Sequence, residues 1–233
     1  MDINKIIRIQ KWYRGCILRL KNLPLIMYQI KKYLLSQTIL FSKQNQDGRI
    51  NSSIDEDNIT NLLIQKFKNR IVKPKIRMWY DILVYDYLFG WLPVNIKIST
   101  TLKSDNVGNL AMCVYAYTNE NLDIHRNKTY ENGQMSKILY DKLKNKCYNY
   151  KNKKDYYFIV LNKDNNADII INSIKGIANI SPNINNLPFQ ICWSKNKEYK
   201  YENINKKIKI FIDCLKKTKP SWKETFMSNI RTL

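Results

Sequence analysis

The stretch from Arg77 to Thr101 constrains the fold more than any other part of the sequence. Met78 to Tyr87 is aromatic and β-branched, Phe89-Gly90-Trp91 is a turn signal, and Leu92 to Thr101 is strand-like again. Two adjacent antiparallel strands are the simplest reading. Alternation along the second strand puts Asn95 and Lys97 on one face and turns Ile96 into apolar packing on the other. With Asp81 at the start of the first strand, an acid, an amide and an ammonium gather around one point. Oxygen ligands of this kind suit Mg²⁺, and a neighbouring lysine can position a water or stabilise charge on a phosphorane-like transition state.

The rest of the chain supplies helices and further strands. Residues 1 to about 35 carry apolar side chains at helical spacing, with a break at Pro24. Ser42 to Ser53 reads as a polar loop that caps a second helix from Ile54 to Lys68. After the hairpin, Ser104 or Asp105 caps a helix over Val107 to Thr118, and another covers Ser136 to Asn145. Strands follow at Tyr156 to Leu161, Asp168 to Ile174 and Phe189 to Trp193, then helices at Ile204 to Leu215 and Ser221 to Ile230, with Pro220 at the last helix's start. This order predicts an α/β or α+β domain, a mixed β-sheet flanked by helices, over residues 46–233, preceded by a basic helical extension, residues 1–45.

Composition narrows the chemistry. The chain has 40 Lys and Arg against 19 Asp and Glu, a formal charge of +21, which favours a polyanionic partner even after allowing for an AT-rich coding bias toward Lys, Asn and Ile. A single histidine, His125, argues against His-metal nucleases and triad hydrolases. Five dispersed cysteines without a CxxC argue against zinc and a disulfide framework. The 6 glycines form no phosphate-cradling loop, which disfavours ATP-driven and dinucleotide chemistry. No signal peptide or membrane-spanning run is read, so the expected location is cytoplasmic, or associated with a nucleoid or virus.

The pattern Asp81-x(13)-Asn95-x-Lys97 on a hairpin after a helix resembles the core of the PD-(D/E)XK nuclease superfamily. It departs at Asn95, where that family usually has an acid, and Glu56 in Ile54-Asp55-Glu56-Asp57 matches the place of an additional helix acid, with Asp55 and Asp57 as rivals. Two further stretches resemble the EcoRV-like branch of type II restriction endonucleases. They are Lys97-Ile98-Ser99-Thr100-Thr101 continuing through Ser104-Asp105-Asn106-Val107-Gly108-Asn109, and Asn183-Ile184-Asn185-Asn186-Leu187-Pro188-Phe189-Gln190-Ile191-Cys192-Trp193. The resemblance spans roughly residues 48–230.

It implies a Mg²⁺-dependent restriction endonuclease that acts as a homodimer on short sites in double-stranded DNA, with a companion DNA methyltransferase protecting the host. Asp81, Glu56 and Asn95 would be the metal-side residues, Asn95 weakly or through water, and Lys97 would orient the attacking water. Asn106, Asn109, Asn183, Asn185, Asn186 and Gln190 are the candidates for contact with DNA, since amides pair with base edges. The same residues admit plainer roles: Asp81 and Lys97 as a cross-strand ion pair, Glu56 as a first-turn acid, Asn106 and Asn109 as caps or turn residues.

A second class of function rests on Ile9-Gln10-Lys11-Trp12-Tyr13-Arg14-Gly15-Cys16-Ile17-Leu18-Arg19. This stretch fits IQxxxRGxxxR and resembles the IQ motif, so residues 9–19 would bind a calmodulin-like partner and make the chain an adaptor with an inactive nuclease fold.

Overall fold

The computed structural model describes residues 7, 22–42, 48–75, 78–107, 109–125, 130–151, 154–183, 188–218 and 224–233. The hairpin expected from Met78 to Thr101 is its centre, formed by β2 (Ile82–Asp86) and β3 (Gly90–Ser99), paired antiparallel from Ile82↔Val94 to Asp86↔Gly90. Asp86 builds the turn: its Oδ1 accepts from the N–H groups of Leu88 at 2.8 Å and Phe89 at 3.1 Å. Gly90 closes it at φ +76°, a left-handed conformation that costs glycine nothing.

A short β1 (Ile71–Val72) joins the outer side of β2, while β5 (Tyr157–Asn162) runs parallel to β3 and β6 (Ile169–Ser173) antiparallel to β5. The result is a five-stranded mixed sheet in the order β1-β2-β3-β5-β6. Both faces are covered, so the fold is α+β with a helix-flanked mixed sheet. On one face α1 (Leu25–Leu35) and α2 (Gly48–Phe67) pack Ile26, Ile30, Ile59 and Leu63 onto Ile82, Val84, Val94, Ile96, Ile98 and Ile159. On the other, α3 (Leu110–Tyr117), α4 (Asn132–Lys144), α5 (Ile204–Lys216) and α6 (Glu224–Arg231) cover Leu83, Phe158, Val160 and Ile170. The alternation of Tyr157, Ile159 and Leu161 with Phe158 and Val160 is the period of two expected of a strand buried on both sides.

The structure differs from the sequence reading in several places. Residues 22–42, assigned by sequence to the extension, share the core beneath the sheet. Asp86 explains part of this, because its Oδ2 accepts from the N–H of Ile26 at 3.1 Å and so caps α1, whose N-cap Pro24 has no side chain to do it. Helix α2 starts at Gly48 and not at Ile54, and Asp55 sits buried within it, taking the N–H and hydroxyl of Ser42. Ser104 and Asp105 do not cap α3. They lie in β4 (Ser104–Asn106), which pairs with β7 (Gln190–Cys192) in a separate two-stranded sheet, where Asp105 accepts from the Trp193 indole at 2.6 Å. The cap of α3 is Asn109, whose side-chain Oδ1 accepts from the N–H of Ala111 at 3.0 Å. Pro220 and the IQ-like residues 9–19 lie outside the described residues.

Candidate active site

Strand β3 outruns β2. The pairing with β2 ends at Val94, extended one step by the Asp81 N–H donating to the Val94 carbonyl at 3.0 Å, and beyond it the N–H groups on that edge of β3 need other partners. Two carboxylates face them. Asp81 Oδ2 accepts from the N–H of Ile96 at 2.7 Å, and the N–H of Ile98 is near enough to the carboxylate of Glu56 to favour its charged form. Glu56 reaches this edge because it shares a face of α2 with Ile59 and Leu63, which are fixed in the core against β3.

Asp81 is held on a second side as well. Its Oδ2 also accepts from Asn95 Nδ2 at 2.7 Å. Two residues earlier, the Trp79 carbonyl takes the Asn109 amide at 2.7 Å and the Tyr156 hydroxyl at 2.9 Å, which fixes the chain entering β2. Glu56, Asp81, Asn95 and Lys97 all line one cleft of about 900 Å³, with Trp79, Tyr130, Tyr156, Asn106 and Asn109. Lys73 and Lys75 add charge to its rim, Lys73 in an exposed ion pair with Asp57 at 2.8 Å. Burial raises the Glu56 carboxyl to about 7; Lys97 opposes that shift and Asp81 adds to it.

The two rivals to Glu56 have other work. Asp55 is buried and spent on Ser42, and Asp57 faces Lys73. Among the described residues no group of three or more His, Cys, Asp and Glu side chains is placed to hold a metal ion. The cleft nevertheless offers hard oxygens: two carboxylates, and the Asn95 Oδ1, which is buried without a hydrogen-bond partner. Mg²⁺ commonly takes one or two protein carboxylates and fills its octahedron with waters and substrate phosphate, so this donor set fits it.

Of the residues expected to touch DNA, Asn106 is exposed at the cleft, and its Oδ1 accepts from Asn183 at 3.0 Å and Gln190 at 2.9 Å. Asn183 is only 1% exposed, so its expected role as a base reader is corrected to that of a buttress behind Asn106. Asn109 is likewise committed to its cap and to the Trp79 carbonyl. Asn185 and Asn186 lie outside the described residues. Tyr156, which fixes the Trp79 carbonyl and lies beside the Asn95 amide, was read from sequence only as the start of a strand. Its signal was its place immediately before β5, the strand that pairs with the Asn95–Lys97 segment.

No family model matches the chain, and neither a curated protein nor a solved structure is detectably similar to it. Among the described residues no helix is long and apolar enough to cross a membrane.

Proposed function

We propose that this protein is a Mg²⁺-dependent endonuclease that hydrolyses phosphodiester bonds in double-stranded DNA, in the manner of a type II restriction enzyme. The observation that carries the reading is the meeting of Glu56, Asp81 and Lys97, from three separate segments, in one cleft of a chain with charge +21. The helix and hairpin that bring them together stand in the order of the PD-(D/E)XK resemblance. The positive surface supplies phosphate affinity without sequence information.

Asp81 and Glu56 would hold the metal ion, with Asn95 Oδ1 beside them. Bound there, Mg²⁺ supplies Lewis acidity at the scissile phosphate. Lys97 orients the attacking water and stabilises the negative charge that builds on the phosphate oxygens as the bond to the leaving oxygen breaks. The Ile96 N–H and the Asn95 amide keep the Asp81 carboxylate in place while this happens. A homodimer would bring two such clefts to the two strands, and a companion methyltransferase would protect host DNA.

Incubation of long duplex DNA with the protein and Mg²⁺ is the test. Discrete fragments that EDTA abolishes support the reading. Intact DNA with either Mg²⁺ or Mn²⁺ contradicts it.

A further inference from the structure

Beside the cleft lies a second, smaller cavity of about 160 Å³, whose lining includes Val72, Pro74, Tyr80, Leu83, Trp91 and His125. Pro74 and Tyr80 line both cavities, so the two share a wall, and Tyr80 is the residue before Asp81. The small cavity differs from the cleft in chemistry. It is lined by neither a carboxylate nor an ammonium, and its rings are the Tyr80 phenol together with an indole and an imidazole set edge to face, with centroids 6.3 Å apart. Tyr80 is fixed in the shared wall by its hydroxyl, which donates to the Ile124 carbonyl at 2.6 Å.

We propose that this cavity receives one nucleobase turned out of the DNA helix, while its strand is held in the neighbouring cleft. The inference rests on the nuclease reading of that cleft. The volume admits a single flat heterocycle and excludes a helix or a peptide strand. The apolar and aromatic lining favours a π-face over a phosphate, and the His125 ring offers a hydrogen-bonding edge to the base.

The experiment measures binding in EDTA by fluorescence anisotropy, comparing a fully paired duplex with the same duplex carrying one unpaired, bulged nucleotide. A base already out of the stack spares the protein the unstacking cost, so the bulged duplex binds about tenfold more tightly. Val72→Trp fills the cavity from a residue that is 44% exposed, which keeps the fold intact, and His125→Ala removes the polar edge. Both variants bring the two affinities together. Equal affinities for the natural protein, or a preference that survives Val72→Trp, overturn the base pocket. If the natural protein binds the two duplexes equally but still cuts duplex DNA with Mg²⁺, only the pocket falls. If it binds neither duplex, the nuclease reading falls with it.

Discussion

Asp81 and Glu56, 25 positions apart in the chain, face the N–H groups of Ile96 and Ile98 on the same edge of one strand, and Asp81 Oδ2 accepts from Ile96 at 2.7 Å. Donors two residues apart on a strand are separated by roughly 7 Å. The Ile96 N–H holds Asp81 through a main-chain group that no change of the Ile96 side chain removes. Asn95 adds a second restraint by donating to Asp81 at 2.7 Å.

That last contact predicts the effect of Asn95→Asp. Without metal the variant exchanges a hydrogen-bond donor for a second carboxylate against Asp81, and stability falls by about 1 to 3 kcal/mol. With Mg²⁺ the added oxygen donor reverses the loss, so the midpoint of thermal unfolding rises more with Mg²⁺ for the variant than for the natural protein. An equal response of the two proteins to Mg²⁺ would remove Asn95 from the metal side of the cleft.

Glu56 predicts a pH dependence. Its carboxyl stands at about 7 in the folded chain against 4.5 ordinarily, so the folded state holds the proton more tightly. Below about pH 4.5 both states are protonated and the residue costs nothing; between there and about 7 stability falls as pH rises, and above that the cost is constant. Glu56→Gln lacks this penalty. In EDTA its urea midpoint therefore gains on that of the natural protein between about pH 5 and about pH 8, and parallel curves would contradict the raised carboxyl.

Much of this site was legible in the chain. The alternation through Val94-Asn95-Ile96-Lys97 places Ile96 in the core and its neighbours on the cleft face, as burial on one side of a pleated strand requires. Glu56 could be picked out beside two other acids only by the resemblance, since its helix carries little apolar periodicity through Asn51-Ser52-Ser53. What local pattern could not give were the long-range contacts. Asp86 capping α1 lies 60 positions from Ile26, and β4 finds β7 more than 80 positions away, so Ser104-Asp105 read as a helix cap. Asn183 shows the same limit: an amide-rich run signals polarity, not the burial that makes this member a support.

Asp86 carries the junction between α1 and the β2–β3 hairpin through three N–H groups, those of Ile26, Leu88 and Phe89. Asp86→Ala leaves them without their acceptor and costs about 2 to 3 kcal/mol, read as a shift of the urea midpoint at unchanged slope. A shift below about 0.5 kcal/mol would mean the junction does not depend on it.

Lys175 is buried and donates to three carbonyls, those of Asn149 at 3.3 Å, Lys151 at 2.9 Å and Lys154 at 2.9 Å. Burial lowers its ammonium to about 8, opposed by Asp155. Lys175→Met keeps the stem, strands the carbonyls and leaves Asp155 without its partner charge, at a cost of about 3 kcal/mol in chemical denaturation. Unchanged stability would show that these carbonyls find other donors.

The central claim, that this cleft cuts DNA, is tested most directly by single-turnover cleavage of a long duplex with Mg²⁺. The natural protein, Asp81→Ala and Lys97→Ala are compared at protein concentrations that saturate the DNA in each case. The account predicts discrete fragments from the natural protein and a rate lower by about a hundredfold or more in both variants at equal occupancy. Saturated DNA that all three proteins leave intact, with Mg²⁺ and with Mn²⁺, or cutting that is unchanged in both variants, would contradict it.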